Sequence, residues 1–145
     1  MKRAISYIGY WWVSLTWGCI MTAIGLCAAV GLLVTGHKPH LVGPNILFYA
    51  GRAWGGVNLG PVIIVCNHAG RHTILHECGH GIQNCLWGVL MPFVVAIPSA
   101  IRYWYRRYLT EKKGVKPWLL PEYDSVWFEG QATRWGDEVY ESVEC

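Results

Sequence analysis

A long run without charged side chains near the N-terminus places the strongest constraint on the fold. Residues 4–36 contain no Asp, Glu, Lys or Arg over 33 positions. A helix that crosses the hydrocarbon core of a bilayer needs about 20 apolar residues, so this run suffices for one span and is too short for two. A secretory signal has an apolar stretch of only ~7–15 residues. The length therefore favours a retained transmembrane helix within residues 1–36.

The composition also indicates contact with lipid. Apolar residues make up 53% of the chain and charged residues 14%, whereas soluble domains average about 25% charged residues. Residues 1–107 carry eight basic side chains and a single acid, Glu77, while residues 108–145 carry four basic and eight acidic ones. We therefore expect a lipid bilayer as a partner of the basic part. The basic residues form no continuous stripe, which argues against a nucleic-acid partner.

Strand signals follow the charge-free run. Residues 37–44 are typical of a loop, and residues 46–50 and 62–66 are rich in the β-branched and aromatic residues that strands prefer. Gly-Gly and Gly-Pro pairs, which favour turns, lie between the two runs. The pattern predicts a small β-hairpin within residues 37–70.

A helix is predicted over residues 71–88. It leads into a second apolar stretch, residues 86–101, which Pro92 and Pro98 interrupt and which a basic aromatic cluster follows. Such composition is typical of a segment that lies in a membrane or along its surface. We therefore expect residues 86–108 to be membrane-embedded or interfacial.

The acidic C-terminal part is expected to lie in water. Residues 109–124 contain Gly and Pro at positions typical of a loop. Ser125 is a residue type that caps helix N-termini, so a last helix is predicted over residues 125–141.

The predicted helix over residues 71–88 carries the strongest functional motif, His76-Glu77-Cys78-Gly79-His80. Side chains four positions apart lie on one face of a helix, so both imidazoles can bind one zinc ion. Zinc lowers the pKa of a bound water toward ~7, and the glutamate of an HExxH motif then removes that proton as general base. The motif predicts a zinc metallopeptidase with His76 and His80 as ligands and Glu77 as the catalytic residue.

A second motif lies near the C-terminus. Residues 128–133 read Phe-Glu-Gly-Gln-Ala-Thr and resemble the FExQAD segment of the CAAX prenyl endopeptidases and their heat-shock relatives, which are membrane metalloproteases of the gluzincin type. The resemblance covers about eleven residues in two short blocks. It implies that Glu129 is the third zinc ligand and that the substrate is a peptide or protein.

One position departs from this family pattern. The family has an aspartate that orients a ligand histidine, and Thr133 stands there in this chain. A threonine can accept the same hydrogen bond without contributing charge, so Asp124 or Asp137 is an alternative partner for that histidine. Asp137 is also the best substitute for Glu129 as a ligand.

Other polar residues extend the candidate site and leave alternatives open. Gln83 follows His80 by one turn and can contact either the substrate or a ligand histidine, and His72 precedes His76 by one turn. Four histidines follow one another at four-residue spacing, an arrangement that would suit a metal or haem carrier: His68, His72, His76 and His80. A non-catalytic membrane protein with a structural zinc, or with an incidental histidine cluster, is the remaining alternative.

The metal site constrains the topology. If residues 86–101 crossed the bilayer, His80 and Glu129 would lie about 30 Å apart on opposite sides. A shared zinc at ~2 Å therefore requires this segment to return to the same side. The expected protein is mainly α-helical with a small β-hairpin. One transmembrane helix precedes a minimal zincin-like unit in residues 37–145 that contains the proline-broken segment.

Two signals disagree about which side of the membrane holds the site. The basic pair Lys2-Arg3 favours a cytoplasmic N-terminus and a site on the opposite side. The basic cluster in residues 102–107 favours the cytoplasmic side, as do six cysteines without CxxC spacing, which suit a reducing compartment.

Overall fold

The computed structural model describes residues 6–140, so Lys2-Arg3, the start of the predicted first helix and residue 141 of the predicted last one lie outside it. Five helices are present: α1 (Tyr7–Thr16), α2 (Cys19–Val34), α3 (Arg71–Trp87), α4 (Ile97–Glu111) and α5 (Trp127–Tyr140). Four strands lie between α2 and α3: β1 (His40–Val42), β2 (Asn45–Tyr49), β3 (Gly56–Leu59) and β4 (Val62–Val65). The expectation of a mainly helical protein with a small sheet is confirmed.

The charge-free run does not form one continuous helix, so that prediction is wrong. The axes of α1 and α2 differ by 102° at a break after Thr16. Gly18 lies at the break, where a Cβ atom would come within 2.3 Å of the buried Asn84 side chain. The Thr22 hydroxyl donates to the Ser14 carbonyl across the break at 2.8 Å. Packing against α3 therefore bends a run that local composition would allow to stay straight.

A second bend follows α3. Residues Gly88–Leu90 form a 3-10 turn and Pro92–Ala96 a π-helical turn, which confirms the predicted interruption of this segment. Pro98 is the second residue of α4 and directly follows the π-helical turn. The two bends pack together, because Trp17 Nε1 donates to the Leu86 carbonyl at 3.2 Å.

Within residues 6–140, we find no individual helix with both the length and the apolar composition for a bilayer span. Two bent pairs meet those criteria only when both members are counted together: α1 with α2, and residues Arg71–Leu90 with Pro92–Glu111, which are bent by 118°.

The sheet has the strand order β1-β2-β4-β3. The runs predicted as a hairpin do pair, but β2 and β4 are parallel, with Ile46 opposite Val62. The hairpin prediction for these two runs is therefore wrong. β2 and β4 are the two inner strands, and most of their side chains are therefore buried. β3 returns antiparallel beside β4. The predicted loop over residues 37–44 contains β1, which pairs antiparallel with β2.

The two faces of the sheet pack against different helices. On one face Leu47 and Ile63 pack with Ile74 and Leu75 of α3. On the other face Phe48 and Val62 pack with Ala29 of α2. The alternation follows from the two-residue period of a strand, which sends neighbouring side chains to opposite faces. The sheet is thus held between α2 and α3, and α3 has its other side free to meet α5.

The α3 helix has nearly the bounds that the sequence predicts, and α5 packs antiparallel against it. Their backbones approach closely at two glycines: a Cβ atom at Gly79 would lie 1.8 Å from the Ala132 carbonyl oxygen, and one at Gly136 would lie 1.9 Å from that of Leu75. Only residues without a side chain allow this approach. Ser125 precedes α5 in a short turn, where its hydroxyl accepts a hydrogen bond from Arg102.

Candidate metal centre

The two motif histidines and the glutamate of the second motif meet in the interior. His76 and His80 project from adjacent turns of α3 with ring centroids 4.8 Å apart. Their Nε2 atoms lie 3.0 and 3.2 Å from Oε2 of Glu129, in the first turn of α5. All three residues are buried, and one ligand atom from each lies within 4.8 Å of the others. This group can hold a metal ion.

The hydrogen bonds of Gln83 determine which nitrogen of His80 carries its proton. Gln83 Nε2 donates to the Phe128 carbonyl at 2.8 Å and to Gln131 Oε1 at 2.9 Å. Its Oε1 therefore faces His80 Nδ1, at 2.7 Å, and accepts a hydrogen bond from it. Since Nδ1 carries the proton, the lone pair of the neutral ring lies on Nε2, which points at Glu129.

A hydroxyl relay does the same for His76. His76 Nδ1 lies 2.8 Å from Thr133 Oγ1, and the Thr133 hydroxyl donates to Asp124 Oδ2 at 2.8 Å. Because this hydroxyl proton points to Asp124, Thr133 accepts from His76 Nδ1. Thr133 thus links the histidine to a carboxylate. Asp124 does not replace Thr133 as the direct partner of His76, as the sequence suggested, but reaches His76 through the Thr133 hydroxyl. Such partners orient ligand histidines and increase their basicity.

The electrostatics of the group favour a positive charge at its centre. Burial raises the pKa of Glu129, but hydrogen bonds from His76 and His80 outweigh burial and hold that pKa well below its usual range. Burial lowers the pKa of His80, but its hydrogen bond to Glu129 and the charge of Glu77 outweigh this and leave the pKa raised. Two protonated imidazoles or one metal cation would satisfy the carboxylate, and a cation suits the converging Nε2 lone pairs.

The second carboxylate oxygen of Glu129 also favours a bound cation at this site. Within residues 6–140, Oε1 is buried without a hydrogen bond of normal geometry, although the hydroxyls of Ser99 and Tyr123 lie close enough to influence the carboxylate. A buried polar atom without a partner costs free energy, and a bound ion or water would remove that cost.

Glu77 lies outside this group of three and lines the adjacent cavity. Its side chain packs against Gly56 of β3, where a Cβ atom would come within 2.8 Å of Oε1. Burial raises the pKa of Glu77, and the nearby His80 and His76 offset part of that rise. A carboxylate in this position can exchange a proton with a molecule in the cavity.

The cavity has a volume of about 780 Å³. His76, His80 and Glu77 form one wall, and the inner face of α4 forms another. Apolar side chains next to the histidines include Met21, Leu59, Met91 and Val95. The dimensions suit a ligand of several residues, since ligand sites commonly span about 300–1,000 Å³.

The edge of β3 borders this cavity. The Gly55 carbonyl accepts from Cys66 N at 3.0 Å, so in the antiparallel ladder the backbone groups of Gly56 and Asn58 point away from β4. The Asn58 side chain donates to the Glu77 carbonyl at 2.9 Å, which anchors the strand on α3. Backbone hydrogen-bonding groups of β3 therefore lie beside Glu77.

Tyr123 is a residue of the site that the sequence pattern did not indicate. Its ring makes an edge-on contact with His76, with 6.2 Å between centroids. Arg102 and Arg106 lie over it at 5.5 and 5.7 Å from the ring centroid. Burial and the charge of Glu129 raise its pKa to about 12. Tyr123 lies in a predicted loop and belongs to no motif. The only sequence feature that could have pointed to it is its neighbour Asp124, which was itself a candidate for the site.

The remaining candidates lie at the periphery. His72 is exposed at the cavity rim, and Asp137 is exposed on α5 away from the cavity lining. His68 lies in the turn before α3, which begins at Arg71, so the four histidines of the carrier alternative do not share one helix.

Comparisons with protein-family models, with curated proteins and with solved structures returned no match to this chain. The geometry of the site and the two sequence motifs are therefore the indications of function in this chain.

Replacing Thr133 by valine should weaken metal binding about 10–100-fold, the usual cost of losing a partner of a ligand histidine. Valine has nearly the same shape but leaves His76 Nδ1 and Asp124 without their shared hydroxyl. Competition with a fluorescent zinc chelator measures the affinity. Thr133→Ser keeps the hydroxyl and should bind nearly as well as the wild type; equal affinities for the valine and serine variants would refute the relay.

Proposed function

We propose that the chain is a zinc metallopeptidase of the gluzincin type, with His76, His80 and Glu129 as ligands. One observation carries the proposal: His76 Nδ1 donates a hydrogen bond to Thr133, and His80 Nδ1 donates one to Gln83. It aims both Nε2 lone pairs at the Glu129 carboxylate, beside an open cavity. Two imidazoles and one carboxylate with a free fourth position make up the ligand set of catalytic zinc in many hydrolases.

Bound zinc would supply a Lewis acid that polarises a carbonyl group and lowers the pKa of water toward ~7. Glu77 contributes the general base: its carboxylate removes the proton from the attacking water and delivers it to the leaving amine. The raised pKa of Glu77 brings this carboxyl nearer to neutral pH, where taking up and releasing a proton are both efficient.

Tyr123 is suited to stabilise the oxyanion that forms on the attacked carbonyl. With a pKa of about 12 its hydroxyl stays protonated at neutral pH and can donate a hydrogen bond. The arginines over its ring hold it in place, so little reorganisation is needed during the reaction.

An extended peptide is the substrate that the cavity favours. The outward backbone groups of Gly56 and Asn58 can pair with a peptide strand that adds to the edge of the sheet. Such pairing would run the peptide past Glu77 and the histidines. Apolar side chains at Met21, Met91 and Val95 would accept a large apolar residue of that peptide.

Removal of the metal tests the proposal. The purified chain, stripped with a chelator, is expected to cleave no peptide of a mixed library, and one equivalent of zinc should restore cleavage while magnesium should not, because nitrogen ligands select zinc. Mass spectrometry of the products identifies the cleaved bonds. A chain that binds one zinc tightly and cleaves nothing would support the alternative of a structural zinc site.

Replacing Tyr123 by phenylalanine should lower kcat about 100-fold or more, since one oxyanion donor typically contributes 10²–10³-fold. KM should stay near the wild-type value because the lost hydroxyl acts on the transition state. At saturating zinc the variant should still hold one equivalent, because His76, His80 and Glu129 remain. Steady-state kinetics on a cleaved peptide make the measurement, and Tyr103→Phe, at another tyrosine of the cavity wall, is the matched control. An unchanged kcat for Tyr123→Phe would remove this residue from the mechanism.

A further inference from the structure

The α4 helix has two faces of different character. Ile97, Ile101, Tyr105 and Tyr108 are 48–64% exposed and form what we call the outer stripe. Eight α4 side chains line the cavity, and four of them lie nearly opposite the outer stripe at 100° per residue: Ser99, Tyr103, Arg106 and Thr110. Trp104 and Glu111 also line the cavity, but they lie beside the outer stripe. The helix therefore separates the cavity from whatever contacts the outer stripe.

No residue of α4 is buried by the rest of the described chain. The apolar surface continues onto the neighbouring elements, because the bend before α4 packs against the bend between α1 and α2. Further large apolar side chains are exposed on these elements: Ile8, Trp12, Leu15, Ile24, Leu33, Leu86, Leu90 and Phe93. Exposed apolar surface of this extent marks a contact with a protein or a membrane.

Charge and ring contacts identify the contact as lipid. Residues 97–120 contain six basic side chains and one acid, Glu111, which Arg107 neutralises at 2.7 Å. Cations lie over exposed rings at three places: Arg107 over Trp104, Lys113 over Tyr108, and Lys116 over Trp118, at 5.3–6.0 Å from the ring centroids. Long basic side chains interleaved with aromatic rings are typical of helices that lie in the headgroup region of anionic membranes.

We propose that α4 lies in the plane of an anionic lipid bilayer, with the outer stripe in the boundary between headgroups and acyl chains. The polar cavity face of the helix requires this orientation, since Arg106 and Thr110 must remain beside water while Ile101 and Tyr105 enter lipid. The helix then forms a wall with lipid on one side and the candidate metal centre on the other. This proposal stands independently of peptidase activity.

Photo-crosslinking tests the orientation. The full chain is reconstituted in vesicles of phosphatidylcholine with about 30% phosphatidylglycerol, which supplies a negative surface, and with a diazirine phospholipid. Mass spectrometry should find lipid adducts on the outer stripe and none on Ser99, Tyr103 or Thr110. Equal labelling of both faces, or no label on α4, would overturn the proposal. Chain-to-chain crosslinks through the outer stripe would also overturn it, in favour of a second copy of this chain.

A charge variant tests the lipid class. Lys113→Gln should partition about 5-fold more weakly into the anionic vesicles, the effect of roughly one basic residue near a charged surface, and should bind neutral vesicles like the wild type. The exposed Arg134 of α5 offers a matched control, and Arg134→Gln should leave partitioning unchanged. Equal weakening by both variants, or by neither, would contradict a specific role of the basic residues around α4.

Discussion

Replacement of Glu77 by glutamine is expected to abolish peptide cleavage while the chain retains its zinc. The amide has nearly the shape of the carboxylate but cannot accept a proton from water, so kcat should fall about 10²–10⁴-fold, the usual contribution of a general base. Glu77 lies outside the group of His76, His80 and Glu129, so metal affinity should change little. Product analysis by mass spectrometry and metal analysis of the same sample make the two measurements.

A matched control is available at the rim of the same cavity. Glu111 lines the cavity but is exposed and paired with Arg107, so Glu111→Gln removes a negative charge without removing the proposed base. It should retain activity. Full activity of Glu77→Gln would refute the role of Glu77, whereas loss of zinc from that variant would assign Glu77 to metal binding.

The same substitution should make the metal-free chain more stable at neutral pH. Because burial raises the pKa of Glu77 in the folded state, its ionisation opposes folding. This destabilisation is absent below about pH 4.3, the pKa of a glutamate in the unfolded chain. It is complete above the raised pKa that Glu77 has in the folded chain. Thermal melts should therefore show Glu77→Gln above the wild type at pH 7, with the difference disappearing near pH 4. A lower melting temperature for Glu77→Gln at pH 7 would contradict a buried carboxylate whose charge His80 and His76 offset only in part.

Replacement of Glu129 by glutamine is expected to abolish tight metal binding. Glu129 is the anionic member of the group and is fully buried, and an amide oxygen is a weaker, neutral ligand. The loss should exceed the roughly 10–100-fold cost of changing a residue that only supports a ligand. Zinc at 100 times its Kd stabilises a folded chain by about 2.7 kcal/mol. The variant should show little of this shift in a thermal melt with and without zinc.

Asp137 provides the control for this experiment. It lies on the same helix but is exposed, so Asp137→Asn should bind zinc like the wild type. If Asp137→Asn lost the metal and Glu129→Gln kept it, the carboxylate ligand would be Asp137, the substitute that the sequence left open.

Local patterns predicted the helical parts of the site well. The four-residue spacing of His76 and His80 places both rings on one face of any helix, and their helix was expected within one residue of its observed bounds. The capacity to bind a metal follows from that spacing together with Glu129. Sharing of a metal by His80 and Glu129 requires the chain to return to the site after residues 86–101. The 3.2 Å between His80 Nε2 and Glu129 Oε2 shows this return, whereas contact of the segment with a membrane stays a prediction.

Features that depend on long-range pairing were predicted poorly. Residues 46–50 and 62–66 read as strands in either a parallel or an antiparallel arrangement, because side-chain alternation is the same in both. Which arrangement forms depends on where β3 lies. The bend at Gly18 is likewise packed against Asn84, which is distant in sequence, so a window of the N-terminal run contains only part of what stabilises the bend.

The amino-acid sequence by itself determined the helix that carries His76 and His80 and indicated the candidates Gln83, Thr133 and Asp124, since these follow from helical periodicity, residue type and the resemblance of the second motif. Only the tertiary structure decided how they act together. The approach of α3 and α5 at Gly79 and Gly136 brings a carboxylate within hydrogen-bonding distance of imidazoles 49 and 53 positions earlier in the chain. Tyr123 and the edge of β3 reach the site through packing alone, and packing is a property of the whole chain rather than of any segment.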